Sequence, residues 1–291
     1  MTDTALLSSP APASVAGLWS AAPAPPATAG PVRRYVRDTT LLIGRSLRMM
    51  PRVPERLADV TIQPVLFTVL FLYVFGSAIN IPGMRYQDYL LPGLLAQSLA
   101  FGVIGAGVAT ATDFSSGVVD RFRSLPISRL AVISAQVFGQ MIEQIIGLSI
   151  VVALGLALGW RPDLSVGTTI ELLALMLLAL FAFTWFGVFV GMCFKTSDAV
   201  QGIGFALMLP LSFLAGTFVP IEGMKLVPRK IAEWDPISAL VAAVRHVSQG
   251  TDSHGSWQLE HPVAAMVLWC LLITAVCVPL ALRRFARAGS R

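Results

Sequence analysis

The chain has 291 residues, of which 55% are hydrophobic and only 13% are charged. Soluble domains carry about 25% charged residues, so this composition excludes an ordinary soluble domain and predicts an integral membrane protein. The net charge of +5 does not indicate a nucleic-acid partner, because the basic residues flank apolar segments and do not gather on one soluble face.

Residues 1–30 form the first distinct segment. They are rich in Ala, Pro, Ser and Thr and show no apolar period, which predicts a disordered tail. A signal peptide would need a basic stretch followed by an apolar core, and neither is present. We therefore expect this tail to stay in the cytoplasm.

Residues 31–56 are predicted to form an amphipathic helix that lies flat on the membrane surface. Apolar side chains share one helical face, at Val32, Val36, Ile43, Leu47 and Met50. Arginines share the other face, at Arg34, Arg37, Arg45, Arg48 and Arg52. Such a helix suits an anionic interface. An ordinary solvated helix is the alternative, and the span that follows directly favours the interfacial position.

Six apolar segments follow, at Val60 to Ala78, Tyr89 to Thr110, Ala131 to Leu158, Ile170 to Cys193, Ala199 to Val219 and Pro262 to Leu282. Each has about the twenty residues that are needed to cross a membrane. All but six of the 21 Lys and Arg residues fall on one side of this topology, the exceptions being Arg85, Arg161, Lys225, Arg229, Lys230 and Arg245. The positive-inside rule then places both termini in the cytoplasm. Residues 57–285 form the six-span domain, and residues 286–291 form a second cytoplasmic tail.

Small residues recur every fourth position in three of the spans. They are Ser98, Gly102, Ala106 and Thr110 in the second, Gly187 and Gly191 in the fourth, and Gly202 and Ala206 in the fifth. Such spacing lets helix backbones approach closely, so these spans are predicted to pack on one another.

The third span carries a polar stripe on an otherwise apolar helix, formed by Gln136, Gln140, Glu143 and Gln144. An ionisable group at this depth costs several kcal/mol unless it faces protein or water. Two interpretations have equal support: the stripe lines a substrate path, or it is a hydrogen-bonding seam between helices or subunits.

The connection between the second and third spans, residues 113–129, is the longest predicted cytoplasmic loop within the bundle. Gly117 can begin a short helix and Pro126 ends it, while Val118, Phe122 and Leu125 give it an apolar side. Apolar side chains flanked by arginines are typical of a docking surface. The alternative is a loop whose arginines only anchor the spans, which alone would need neither Phe122 nor Leu125.

Four stretches together resemble a known family. They are Gly117 to Pro126, Tyr89 to Leu95, Gly216 to Ile221, and Ile231 to Ser238 with Arg245 downstream. The chain resembles, from about Val32 to Leu282, the permeases of ABC-2 type exporters, especially the daunorubicin-resistance and nodulation-factor export branch.

The resemblance implies a permease subunit in the inner membrane of a bacterial cell. It would work with a second copy or a close relative and export an amphiphilic drug-like or lipid-linked substrate, as in antibiotic resistance. A separate ATP-binding subunit would dock on the loop through Gly117, Asp120, Arg121, Phe122, Arg123, Leu125 and Pro126. ATP and magnesium would sit on that partner. This chain has no Gly-Lys pair and therefore no P-loop, so we expect it to hold no cofactor and to be no enzyme.

Residues 220–261 are predicted to form an external helical hairpin before the last span, and Trp234, Asp235 and Pro236 could gate release there. A plain structural cap is the alternative. His246, His254 and His261 also lie in this stretch, but their spacing matches no metal motif, so we predict no metal site.

The main alternative function is an ion-coupled secondary transporter. Such proteins show related halves or several buried charges, whereas this sequence has no internal repeat and essentially one buried acid, Glu143. An intramembrane enzyme is disfavoured because no histidine falls in the predicted spans and no catalytic motif is present.

Overall fold

The computed structural model describes residues 30–49, 54–76, 84–117, 129–162, 164–218, 221–250 and 256–287. Within these ranges the chain is helical and has no β-strand. Apart from Gly30, the predicted N-terminal tail lies outside the described residues. Most of the predicted coupling loop and the last four residues also lie outside them.

The α-helices, in chain order, are α1 (Pro31–Met49), α2 (Pro54–Leu70), α3 (Tyr86–Ser115), α4 (Arg129–Ala157), α5 (Val166–Gly191), α6 (Ser197–Leu214), α7 (Leu226–Ala232), α8 (Pro236–Gln249), α9 (Trp257–Glu260) and α10 (Pro262–Arg287). A π-helical segment, Phe71–Phe75, continues α2, and a short 3₁₀ turn, Ile221–Gly223, precedes α7.

Five of the described helices, α3 to α6 and α10, are long and apolar enough to cross a membrane. They correspond to the second through sixth predicted spans. The first predicted span falls on α2 and the π-helical segment, where the apolar stretch Ile62–Val74 is shorter. An all-helical fold with five candidate membrane spans is thus confirmed for the described residues.

Two helix ends differ from the predicted bounds for local reasons. The fifth span was predicted to reach Val219, but α6 ends at Leu214, and Gly216 then adopts a left-handed backbone with φ of +70°. The first helix was predicted to reach residue 56, but it ends at Met49, and α2 begins at Pro54. Proline is favoured at the first position of a helix, because its missing N–H has no partner there.

Helix α3 is the centre of the bundle and packs against α5, α6, α8 and α4. Its contact with α5 is close enough to exclude a β-carbon: one added at Gly187 would lie 2.4 Å from the Val103 carbonyl oxygen, and one at Gly191 would lie 2.3 Å from that of Gly107. The two helices therefore touch through backbone, as the spacing of small residues predicted.

Helix α1 packs along α4, and the Tyr35 hydroxyl donates a hydrogen bond to Ser134 Oγ at 2.9 Å. Val32 and Val36 are exposed on an adjacent face, and Arg37 is exposed on another. The helix thus presents one face to protein, one apolar face outward and one charged face outward. This arrangement fits a helix at a membrane surface.

Candidate functional site

The predicted coupling segment begins where α3 ends. The helix stops at Ser115, and Gly117 adopts a left-handed φ of +70°, a conformation that glycine adopts at little cost. The remaining predicted contact residues, Asp120, Arg121, Phe122, Arg123, Leu125 and Pro126, lie outside the described residues. Gly117, the first of the predicted contact residues, thus follows closely after the end of one continuous helix.

The polar stripe of the third span faces the inside of the bundle. Gln140 and Gln144 are buried and Gln136 and Glu143 are half-buried, whereas Phe138, Ile145 and Leu156 on the opposite side of α4 are exposed. The four polar residues thus share one inward face of α4, as their spacing predicted.

Gln144 lies against the glycine stripe of α3. A β-carbon at Gly102 would lie 2.5 Å from Gln144 Nε2, so a larger residue there would require this amide to shift. Gly105, about one turn further along α3, is exposed. Gln144 therefore packs on α3 and also borders an exposed strip of that helix.

A second polar contact joins α3 to α6. Gln97 Nε2 donates a hydrogen bond to Ser212 Oγ at 2.8 Å, and both side chains are buried. In an apolar surrounding, such a bond satisfies groups that would otherwise be costly to bury. Helix α3 thus has a polar partner on each side, at Gln144 of α4 and at Ser212 of α6.

The most highly connected side chain of the described structure is Arg245, on α8. Its Nε and Nη2 donate to the Tyr89 carbonyl at 3.2 and 3.1 Å, its Nη1 donates to the Gly216 carbonyl at 2.8 Å, and its Nη2 also donates to the Thr217 carbonyl at 3.0 Å. The guanidinium carbon lies 3.5 Å from the centre of the Tyr89 ring, and the Tyr89 hydroxyl donates to the Gly216 carbonyl at 2.8 Å. We call Arg245, Tyr89, Gly216 and Thr217 the Arg245 clamp.

The carbonyl acceptors of this region are available for local reasons. Gly216 and Thr217 follow the end of α6, where a helix leaves carbonyls without partners of its own. Pro92 lacks an N–H, so it cannot bond the Asp88 carbonyl four residues earlier, and Gln249 Nε2 of α8 donates to that oxygen instead. Helix α8 therefore supplies hydrogen bonds to the Asp88, Gly216 and Thr217 carbonyls, which α3 and α6 cannot satisfy internally.

Gly93 lets the clamp close. A β-carbon at this position would lie 2.8 Å from the Thr217 carbonyl oxygen and 2.9 Å from Arg245 Nη2.

The clamp brings together three of the four stretches that carry the family resemblance, around Tyr89, Gly216 and Arg245. Sequence reasoning did not place Arg245 in a site. The signal that could have found it is an arginine that directly follows the apolar stretch Val241 to Val244.

The three predicted external gate residues differ in exposure and do not form one common site. Trp234 is exposed, Pro236 begins α8, and Asp235 is only 6% exposed. The Asp235 carboxylate caps α8 by accepting from Ser238 N at 3.1 Å and from Ser238 Oγ at 3.3 Å. Burial raises the pKa of this carboxyl to about 6, against the lowering effect of its hydrogen bonds from Ser238 and Ile237.

A chain of hydrogen bonds ties this region to the last long helix. Gln258 Nε2 donates to the Asp235 carbonyl at 2.9 Å, and Trp269 Nε1 of α10 donates to Gln258 Oε1 at 3.0 Å. The described residues contain no group of three potential metal ligands, and His254 lies outside them. Asp235 is thus placed as a buried helix cap.

The helices and their composition define a multi-pass membrane protein, in which three of the motif stretches meet at the Arg245 clamp. Residues 37–248 match the family described as ABC-2 type transporter. The chain belongs to this family, and the resemblance deduced from the sequence is confirmed.

Individual relatives agree. The chain is 27% identical over 256 residues, 88% of each protein, to the daunorubicin resistance ABC transporter permease protein DrrB1 of Streptomyces coeruleorubidus. It is 22% identical over 229 residues, 77% of each protein, to a putative transport permease of Cyanophora paradoxa. It is 30% identical over 106 residues, 34% of this chain and 37% of the relative, to the doxorubicin resistance ABC transporter permease protein DrrB of Mycobacterium tuberculosis.

Proposed function

We propose that the chain is the membrane-spanning subunit of an ATP-driven exporter, with both termini in the cytoplasm of a bacterial cell. The observation that carries this proposal is the match of residues 37–248 to the ABC-2 type transporter family. In this arrangement α2 with its π-helical segment serves as the first of six spans, and α7 to α9 lie on the external side.

ATP hydrolysis belongs to a separate subunit in this proposal. That subunit docks on Gly117 to Pro126, and it carries the ATP and magnesium. The position of the segment supports this, because it follows α3 without a break, and α3 is the helix with the most neighbours in the bundle. The apolar side chain of Phe122, held in a cleft of the partner, would pass rigid-body motion to α3. Arg121 and Arg123 would orient the docked segment by charge.

The substrate path runs along the exposed strip of α3. Gly105 and Thr112 are both exposed and lie seven residues apart, hence on one side of the helix. The strip lies between the contact of α3 with α6, where the Phe101 and Phe205 rings are 5.9 Å apart, and its contact with Gln144 of α4. We assign Gln136, Gln140, Glu143 and Gln144 to the lining of this path.

A second permease copy, or a close relative, completes the path. Helix α6 supports this, because it packs mainly on α3 and leaves most of its surface uncovered. The uncovered surface includes the small residues Gly202 and Ala206. Small residues at this spacing are typical of contacts between spans.

The substrate is an amphiphilic drug-like molecule. An apolar bundle with an inward polar stripe suits such a compound, and it suits a lipid-linked molecule as well. Two relatives are named for resistance to daunorubicin and doxorubicin, which favours the drug-like class.

The substitution Phe122→Ala tests this function. We expect it to abolish ATP-driven export of daunorubicin and substrate-stimulated ATP hydrolysis, because the apolar contact that passes motion to α3 is lost. Membrane insertion and yield should not change. The measurement is transport into inverted vesicles that contain the chain and its partner ATPase. Val119→Ala is the matched control, since Val119 lies off the predicted apolar side of the coupling helix.

Vesicles that hold this chain alone provide the second arm of the test. We expect no export from them until the ATPase is added. Export driven by an ion gradient without any ATPase would contradict the proposal and support the ion-coupled secondary transporter.

A further inference from the structure

The Arg245 clamp joins three parts of the chain into one mechanical unit. Its guanidinium bonds α8 to the first turns of α3 and to the residues that follow α6. Hydrogen bonds from a charged donor are stronger than neutral ones, and separating the clamp would leave a partly buried charge without partners, which is costly. We therefore expect Tyr89, Gly216, Thr217 and Arg245 to stay together when the bundle moves.

Phe218 follows Thr217 directly and extends this unit toward the first predicted span. Its ring stacks on that of Phe71, with ring centres 3.8 Å apart and 17° between the planes. It also lies 6.4 Å from the Phe67 ring and 4.9 Å from the Phe213 ring. We call Phe67, Phe71, Phe213 and Phe218 the aromatic cluster.

The aromatic cluster is the main contact between the first span and the end of α6. Among the described residues, α2 packs on α4 and α3 and has no extended packing with α6. Phe71 opens the π-helical segment, a local irregularity that is frequent at functional sites. The two sides of the cluster lie on different helical segments, with Phe67 and Phe71 on the first predicted span and Phe213 and Phe218 at and after the end of α6. Phe71 and Phe218 also pack on Tyr89, Leu90 and Leu94 at the start of α3.

The clamp and the cluster differ in the strength of their contacts. The clamp uses five directed hydrogen bonds and a cation over a ring, whereas ring pairs contribute only about 1 kcal/mol each beyond their buried area and accept more than one geometry. A force that moves α3 therefore separates Phe218 from Phe71 before it breaks the clamp. The aromatic cluster lies at the Tyr89 end of α3, and the residues of α3 between this end and the exposed strip at Gly105 are buried or half-buried.

Helix α3 links this region to the coupling segment. It is a single helix of 30 residues, about 45 Å long at 1.5 Å per residue. Tyr89 of the clamp lies in its first turn, and its last residue is Ser115. A displacement imposed at the coupling end is thus carried to the clamp by one continuous element.

The geometry points to the aromatic cluster as the outer gate of the transport path, with Arg245 as the positioning residue that makes movement of α3 open it. This inference rests on the proposed export function. It assigns release of an amphiphilic substrate to the separation of Phe71 from Phe218.

Reversible cross-linking tests the gate. In a chain whose Cys193, Cys270 and Cys277 are replaced by alanine, the double variant Phe71→Cys/Phe218→Cys is treated with a short bifunctional thiol reagent. ATP-driven daunorubicin export is measured before treatment, after it and after reduction. We expect cross-linking to lower export by at least about tenfold, because a locked gate blocks release in every cycle, and we expect reduction to restore it.

Phe67→Cys/Phe71→Cys is the matched control. It also removes two rings of the cluster, but its thiols lie one turn apart on the same helix, so the link ties no two bodies together. We expect the reagent to change its export less than about twofold. If the linked Phe71–Phe218 pair exports as fast as before treatment, the gate is wrong while the export function stands. If the cysteine-free chain shows no ATP-driven export at all, the proposed function fails instead.

Arg245→Lys tests the positioning role. Lysine keeps the charge but lacks the planar fork that reaches three carbonyls at once. We expect ATP hydrolysis per transporter to stay within about twofold while export per ATP falls by about tenfold, since the ATPase still moves α3 but the gate no longer follows. Arg229→Lys is the control, because Arg229 pairs with Glu233 at 2.9 Å outside the clamp. Parallel loss of hydrolysis and export in Arg245→Lys, or loss of neither, would overturn the role.

Discussion

Asp235 caps the start of α8, and the burial of its carboxylate makes the charged form of this cap costly. Its carboxylate accepts two hydrogen bonds from Ser238 at the start of α8, which replaces a partner that the first turn of a helix lacks. The same carboxylate is buried, and loss of water disfavours its charged form. Because the pKa is raised from 3.8 to about 6, the folded protein binds the proton more tightly than the unfolded chain does.

This pKa predicts a pH dependence with a definite sign. As the pH rises from about 4 to 6, the unfolded chain releases the Asp235 proton first, so the folding free energy becomes less favourable by up to roughly 3 kcal/mol. Above that window the cost is constant. Asparagine caps helices as well as aspartate does, so Asp235→Asn should remove this part of the dependence and should be the more stable form at pH 7.

Thermal unfolding of the detergent-solubilised chain, at pH 4.5 and at pH 7, measures the effect. The wild-type chain should lose more stability between these two values than Asp235→Asn does. Equal losses in both chains would show that this carboxyl does not titrate in the window.

At the scale of the helices, the α3–α5 contact depends on glycines that face a backbone. Gly187 and Gly191 allow the Val103 and Gly107 carbonyls to come so near that no β-carbon fits. Helices in a membrane gain little from hydrophobic burial against each other, so close packing of this kind is a main source of their association. Gly202 of α6 contrasts with them, because nothing lies within 4 Å of the place its β-carbon would take.

This contrast predicts opposite outcomes for one chemical change. Gly187→Ala should destabilise the fold by about 1–3 kcal/mol, because α3 and α5 must move apart. Gly202→Ala adds the same methyl group where the single chain has no atom within 4 Å, so the folding stability of one chain should change by less than about 1 kcal/mol. Melting temperatures of the two purified variants, compared with the unmodified chain, provide the measurement. Similar losses in both would contradict the packing of α3 on α5.

At the scale of the whole molecule, α6 is the least covered of the five long apolar helices. Gly202 and Ala206 form a small-residue strip on its outer surface, one turn apart. Large residues are exposed on other long apolar helices, as at Leu271 and Leu272 of α10. We therefore expect the α6 strip to face a second permease copy.

Filling this strip should weaken the pairing of permeases. Ala206→Leu is expected to cost about 1–3 kcal/mol of association free energy, because the approach of two backbones is blocked. Ala275→Leu, which makes the same change at an exposed position of α10, is the control and should leave pairing intact. Sedimentation in detergent measures both. Equal pairing in the two variants would place the second copy elsewhere.

Much of the fold could be predicted from local sequence signals, but the clamp could not. The inward face of α4 follows from the spacing of Gln136, Gln140 and Glu143, because helical periodicity is local. Arg245 bonds the Tyr89 carbonyl across 156 positions of chain, and a backbone carbonyl has no sequence signature. The sequence therefore placed Arg245 as a basic residue on the predicted external side and as part of a family motif, without its partners.

The membrane class, the five long apolar helices and the family are determined by the sequence alone, because hydropathy over about twenty residues and short motifs are properties of contiguous chain. Only the tertiary structure decided that Arg245 joins three of those motifs, that Gln144 rests on Gly102, and that Phe71 meets Phe218. Each of these contacts depends on how separate helices pack. That packing is set by close approach between backbones and by carbonyls left without partners at helix ends.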